Sequence, residues 1–229
     1  MTGRRDPLRS APRVVWMLLA CWALLVAPSF AQSSEPGISS LAQALDRLGH
    51  ADPRQRVAAV SWLGQHGGEA DAARLVPRLH DEDALVRALA EKAIWLMWTR
   101  SGDTAIDRLF SRGLEQMNAG DLKAAITTFD EIVRRKPAFA EGWNRRATAR
   151  YLAGDYRNAL ADCDEVVRRN PLHFGALSGY GLIYLKLAEY DRALEYFRRA
   201  LAVNPNMEGV RENVRGLEEL MAQRLRRST

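Results

Sequence analysis

Cysteine is scarce in this sequence, since only Cys21 and Cys163 occur among its 229 residues. A fold held together by several disulfides is therefore excluded. Long apolar runs are scarce as well: the longest, Val14–Val26, has 13 residues, whereas a membrane-spanning helix needs about 20. A bundle of membrane helices is thus excluded, and a content of 47% hydrophobic and 27% charged residues is typical of a folded globular chain.

The chain also lacks a strong excess of one charge after its N-terminal segment. The net charge is +5, but residues 1–31 contain four arginines and one aspartate and carry +3 of it. The remaining residues divide into 29 basic and 27 acidic ones. Because a nucleic-acid-binding chain usually presents a strongly basic surface, we expect no nucleic-acid partner.

Residues 1–31 follow the order of an export signal. Arginines precede the apolar run, and Ser29–Ala31 supplies small residues where a signal peptidase cuts. The 29 arginines against four lysines are typical of GC-rich bacterial genomes. We therefore expect residues 1–31 to be a signal peptide, the mature protein to be periplasmic, and no stable membrane span to be left after cleavage. An uncleaved signal or a lipidated Cys21 would instead anchor the protein to the inner membrane.

The second half of the chain repeats at a constant interval. Proline recurs at 137, 171 and 205, and alanine recurs at 125, 159 and 193. Two further positions keep their size class: a small residue at Gly113, Ala147 and Gly181, and a larger apolar one at Phe129, Cys163 and Phe197. Small residues let the two helices of a hairpin approach closely, and proline cannot continue a helix. This interval, called the proline period below, and these residues resemble the tetratricopeptide repeat, in three units over about residues 106–206.

The resemblance implies an all-α fold, a right-handed α-solenoid of helical hairpins. Residues 102–206 would form the three repeats, and residues 207–229, with apolar residues at helical spacing, a C-terminal capping helix. The concave side of such a solenoid is a groove that holds a peptide or a helix of a protein partner, and self-association is a further possibility. The family's groove positions correspond to Phe110, Leu114, Asn118, Asn144, Thr148, Tyr151, Ser178, Leu182 and Lys186.

Two departures from the family pattern concern charge. Members that grip the C-terminal carboxylate of chaperones use a set of Lys, Asn and Arg side chains. Among the corresponding positions of this sequence only Arg145 is cationic, so we expect no carboxylate grip. Arg146 and Arg150 stand at positions that are usually apolar. Either the helix that carries them is rotated or it faces something polar. With Arg145 the two arginines also make a local positive cluster, which we interpret as a solvated helix face; a cluster that meets an acidic partner is the alternative.

Residues 38–101 repeat with a shorter period. The segment Asp52–Ala59 aligns with the segment Asp83–Ala90. Each aspartate is expected to cap a helix and to attract the arginine one turn later. This resembles a pair of HEAT-like repeats, interrupted by Pro77 in the helix expected at residues 71–79. Large apolar residues at Trp62, Ile94, Trp95 and Trp98 are expected to close against the tetratricopeptide part, giving one continuous solenoid.

The sequence offers no constellation typical of an enzyme, and we expect no cofactor and no metal site. The four histidines are isolated, unlike zinc ligands. Cys163 shares its repeat position with two phenylalanines and is expected to be packed in the core, and Asp162 is interpreted as part of a solvated face. The leading hypothesis is an exported adaptor or scaffold. The alternatives are a periplasmic chaperone-like holder of clients and, more remotely, an enzyme on a helical scaffold.

Overall fold

The computed structural model describes residues 37–228, so the predicted signal peptide and Cys21 lie outside the described residues. The described part is built of α-helices, with 3₁₀ turns at Glu69–Asp71 and Val76–His80. The α-helices are α1 Leu41–Arg47, α2 Pro53–His66, α3 Ala72–Leu75, α4 Ala84–Trp98, α5 Thr104–Asn118, α6 Leu122–Arg135, α7 Ala140–Leu152, α8 Tyr156–Arg169, α9 Phe174–Lys186, α10 Tyr190–Val203 and α11 Glu208–Ser228. The all-α class and the right-handed solenoid of hairpins are confirmed. None of the helices within residues 37–228 combines the length and the apolarity needed to cross a membrane.

Three hairpins, α5–α6, α7–α8 and α9–α10, follow the proline period. Each is closed by a three-residue turn whose middle residue has a left-handed backbone, with φ of +78° at Gly120, +80° at Gly154 and +59° at Ala188. The second helix begins at an aspartate in two of them, where the side chains of Asp121 and Asp155 accept backbone N–H groups. The turns therefore share one geometry even where the residue type changes.

The two helices of a hairpin meet at a small residue and a larger one. A Cβ atom added to Gly181 would lie 2.4 Å from the ring of Phe197, which fills that space. Cys163 belongs to one cluster with Ala147 and is 1% exposed, which confirms that it is packed. Burial raises the pKa of its thiol far above the ordinary value. The three pairs are Gly113 with Phe129, Ala147 with Cys163, and Gly181 with Phe197.

The N-terminal helices reproduce the shorter period in their contacts. Asp52 and Asp83 cap α2 and α4, as predicted. The expected attraction between each aspartate and the following arginine is wrong, because the arginines turn back to the backbone carbonyls of the preceding turn. Those bonds run from Arg56 to His50 and Ala51, and from Arg87 to Asp81 and Glu82. Pro77 does interrupt the helix, which continues as a 3₁₀ turn. The HEAT-like assignment stays a prediction.

The N-terminal part, residues 38–101, lies along the edge where the repeats are joined, and it meets all three joining turns. Lys136 in the first turn donates to the carbonyl of Ser101. His173 in the second turn stacks on Trp98 of α4, with ring centroids 4.1 Å apart. In the third turn, Asn206 donates to the carbonyl of Leu79 at 2.9 Å. Because of these contacts α4 packs against the third repeat as well as preceding the first.

Helix α11 follows the third repeat and covers its last apolar surface. Val210 and Leu217 are buried in the same cluster as Phe197. Its other face is charged, and Glu218 accepts from Arg198 of α10 at 2.6 Å. A helix with one apolar and one charged side closes the core of a solenoid and keeps its end in water.

Candidate peptide-binding groove

A groove of about 300 Å³ lies between α7 and α9. Its lining includes the small residues Ala147, Gly175 and Gly179. At Gly179 the missing side chain lets another chain approach the backbone closely. A Cβ atom on Gly179 would lie 3.7 Å from the sulfur of Cys163, which therefore lies next to this glycine. The other lining residues are Trp95, Asn144, Arg145, Thr148, Tyr151, Leu152, Ser178, Leu182, Ile183 and Met207.

The structure brings together the predicted site residues of the second and third repeats. They are Asn144, Thr148, Tyr151, Ser178 and Leu182. Leu114 instead packs beside the core of the first repeat, while Asn118 and Lys186, the last residues of α5 and α9, do not line this groove. The placement of Phe110 in the groove is corrected, because its ring is 4% exposed and packs on Phe129 and Phe139. Binding by any of these residues stays a prediction.

Two closing side chains were not among the predicted site residues. Trp95 comes from α4, and a Cβ atom on Gly175 would lie 2.5 Å from its ring, so glycine is needed there for close packing. Met207 lies at the opposite end of the chain and lines the same groove. The proline period does mark Met207, since it is equivalent to His173 and Phe139. No periodic signal marks Trp95, although its general contact with the repeats was expected.

The hydroxyl groups of Thr148 and Ser178 in the groove donate hydrogen bonds to backbone carbonyls of their own helices. Thr148 donates to the carbonyl of Asn144 at 2.9 Å, and Ser178 donates to that of Gly175 at 2.9 Å. Their oxygens are left as acceptors, and Arg145 is the one cation among the lining residues. The groove therefore presents a mainly apolar surface with a few acceptors and one guanidinium, which suits side-chain anchoring better than catalysis.

A buried polar network lies behind the wall of this groove. Glu141 and His173 are each 0% exposed, and their side chains are joined by a hydrogen bond of 3.0 Å. The other ring nitrogen of His173 accepts from the N–H of Ala176, so the nitrogen facing Glu141 carries the proton. Asn144 donates to Glu141 at 2.9 Å, and Arg145 does so at 2.6 Å. Asn144 is therefore a structural residue as well as a lining one.

These partners set the charge state of Glu141. Burial by itself raises the pKa of a carboxyl group, but the hydrogen bond from His173 and the charge of Arg145 outweigh it and lower the pKa of Glu141 below its ordinary value. The carboxylate is thus ionised in the folded protein. It fixes the first turn of α7, which forms one wall of the groove.

Arg146 and Arg150 point away from the groove, into the packing between helices. Their side chains are 11% and 18% exposed, and both bond the carboxylate of Asp162 on α8, which is 2% exposed. Arg146 also pairs with Asp130 of α6 at 2.7 Å. The interpretation of these arginines, and of Asp162, as a solvated face is wrong, because their charged groups pair with one another between the helices. The alternative that Arg146 and Arg150 face something polar is confirmed.

No group of three potential metal ligands is brought together within residues 37–228.

Two arginines make cation–π contacts with Trp143. Its ring packs against Arg146 and Arg169, whose guanidinium carbons lie 4.8 and 4.6 Å from its centroid. Such contacts hold charged side chains against the surface rather than directing them at a ligand.

Comparisons with known proteins agree with this geometry. The family model of the tetratricopeptide repeat matches residues 110–171 and 145–208. A TPR repeat-containing protein of Rhizobium etli is 34% identical over 129 residues, which are 56% of this chain and 63% of that protein. The chain thus spans somewhat less than two thirds of the length of this relative.

Solved structures resemble the backbone over about half of the chain. The first TPR domain of Spaghetti (RPAP3), bound to an HSP90 peptide, superimposes with a TM-score of 0.50 at 21% identity, over 51% of this chain and 93% of that one. The Sgt2 TPR domain from Aspergillus fumigatus gives 0.52 at 21% identity, over 54% and 83%. These structures share the fold with residues 110–208, the part of the chain that the tetratricopeptide model matches.

Proposed function

We propose that this protein is an exported adaptor that binds a peptide or helix of a protein partner in the groove between α7 and α9, with no chemistry of its own. The groove is the observation that carries the proposal. Its lining is mainly apolar and includes no carboxylate, while the ion pairs of Arg146 and Arg150 on α7 point into the hairpin packing. A solved tetratricopeptide domain with a similar backbone carries a bound peptide, which supports the same use here.

The lining favours anchoring by one or two apolar side chains. An apolar residue of a partner would lie over Gly179, between Tyr151 and Leu182, and fully burying such a side chain contributes about 1.5–3 kcal/mol. The oxygens of Thr148 and Ser178 would accept backbone N–H groups of the same segment. The groove would therefore select for shape and apolar content.

Export rests on the order of residues 1–31, and its test is independent of the groove. The protein should be recovered from the periplasmic fraction with an N-terminus near Gln32. Recovery of the full-length chain in the membrane fraction would instead support the uncleaved anchor.

The binding test is crosslinking in living cells with a photoreactive residue in place of Tyr151. The adaptor predicts one dominant partner in stoichiometric amount, whereas a chaperone-like holder would be crosslinked to many proteins. Adding Leu182→Glu should abolish capture, because it places a charge in the apolar groove. The matched control is Leu187→Glu, at a residue that is 40% exposed in the turn after α9. Capture that survives Leu182→Glu would show that the groove is not the site.

A further inference from the structure

Helix α4 exposes one face beside the groove. Lys92, Trp95, Leu96 and Thr99, the last at its C-terminal cap, are spaced by three and four residues, so they share one side of the helix. With Arg145 of α7 they line a shallow cavity of about 260 Å³. Leu96 is 43% exposed, so its side chain is open to contact from outside. This set is called the α4 face below.

The α4 face and the groove form one continuous surface. Trp95 and Arg145 line both cavities, with the guanidinium of Arg145 5.8 Å from the centre of the Trp95 ring. A segment that occupies the groove therefore reaches the α4 face when it extends past Trp95. This helix lies outside residues 110–208, the part that matches the repeat family.

The charges on this surface have one sign. Lys92 and Arg145 are the charged residues lining the two cavities, and no carboxylate lines either of them. Arg145 bonds Glu141 through Nε alone, which leaves its terminal nitrogens without a partner among the described residues. Lys92 likewise has no ion pair within residues 37–228. On α6, by contrast, Arg134 and Arg135 both pair with Glu131.

We propose that the α4 face extends the groove to receive an acidic, apolar segment of the partner. An apolar side chain of that segment packs on Trp95 and Leu96, and a carboxylate lies between Lys92 and Arg145. Charge complementarity argues for this occupant. In the described part of the chain Lys92 has no ion pair, Arg145 keeps its terminal nitrogens available, and both residues flank the exposed apolar surface of the α4 face. The inference rests on the proposed function and adds the chemistry of the partner.

Selection from a displayed library of random dodecapeptides on the purified full chain tests both. The wild-type protein should enrich peptides in which aspartate or glutamate stands near apolar residues. Lys92→Glu should remove the acidic preference and keep the apolar one, whereas Leu182→Glu should remove enrichment altogether. Lys123→Glu is the matched control, because Lys123 is also a helical lysine but lines neither cavity.

The affinity of a selected peptide gives the magnitude. In fluorescence anisotropy, changing its acidic residues to the corresponding amides should weaken binding about threefold to tenfold, and so should Lys92→Glu. The difference should shrink as salt is raised, because exposed charges are screened. If neither the amide substitutions nor Lys92→Glu changes the affinity of a selected peptide, the proposal of an acidic segment is overturned, whereas binding in the groove is not. Absence of enrichment on the wild type relative to Leu182→Glu would overturn the proposed function itself. Self-association that is lost in Lys92→Glu would assign the α4 face to a second copy and overturn the partner.

Discussion

Replacing His173 by alanine should cost the protein about 2.5–5.5 kcal/mol of its free energy of unfolding, the sum of three contacts. The side chain accepts the N–H of Ala176 and so caps α9, a bond worth about 1 kcal/mol. It also donates to Glu141, and a buried carboxylate that loses a donor costs about 1–3 kcal/mol. Its stack on Trp98, at 4.1 Å, adds about 0.5–1.5 kcal/mol. All three are lost together, because one side chain, 0% exposed, makes them all.

Urea unfolding followed by tryptophan fluorescence measures this loss, since Trp95 and Trp98 both lie against His173. The wild type should unfold in one transition, because Phe174 belongs to the core of the N-terminal helices. His173→Asn keeps a capping side chain and should recover about 1 kcal/mol relative to alanine. A loss below about 1 kcal/mol in His173→Ala, or two separate transitions in the wild type, would refute the argument that this junction joins the two parts.

Three further predictions concern single positions. Ala188→Gly should raise the free energy of unfolding by about 0.5–1 kcal/mol, because Ala188 has φ of +59° where the equivalent turns use glycine; an unchanged urea midpoint would contradict it. In a Cys21→Ser background, Cys163 should react with a disulfide reagent only as fast as the protein opens, since it is 1% exposed and its pKa is raised by burial; immediate labelling of the native protein would count against this. The pKa of Glu141 is lowered from 4.5, so its carboxylate stabilises the fold above that pH and loses the contribution as pH falls through the folded pKa. The difference in free energy of unfolding between the wild type and Glu141→Gln should therefore narrow as the pH falls below 4.5 in denaturant titrations, and a constant difference would exclude a special role for this charge.

The hairpins were predictable because their contacts are local and repeat. The proline period fixes which small residue faces which large one, as for Gly181 and Phe197, and the hydrophobic pattern then sets the helix faces. The same logic placed five of the nine site residues in one groove. It failed at Phe110, because the family position assumes an open concave face, whereas Phe139 is close enough here to bury the ring.

The errors on charge have a different cause. Arg146 and Arg150 look like surface residues in sequence, because periodicity shows which face of a helix they share but not what lies opposite. Their partner, Asp162, is on the next helix, and an arginine with a buried carboxylate can replace an apolar contact at the same repeat position. The capping arginines of the N-terminal helices show the same limit, since backbone carbonyls are acceptors that a sequence does not display.

The way in which the N-terminal helices pack against the repeats could be predicted least from the sequence. This packing supplies part of the lining of the candidate site. Phe139, His173 and Met207 are equivalent by the proline period, yet they differ because each meets a different neighbour: Phe110, Trp98 and the end of the groove. Repeats alone would supply α7 and α9 but neither the Trp95 wall nor the α4 face. A partner that uses both surfaces therefore recognises a combination that residues 102–206 do not form by themselves. The proposed selectivity of this chain therefore depends on contacts at the edge of the repeat array, which are not repeated, as well as on the groove.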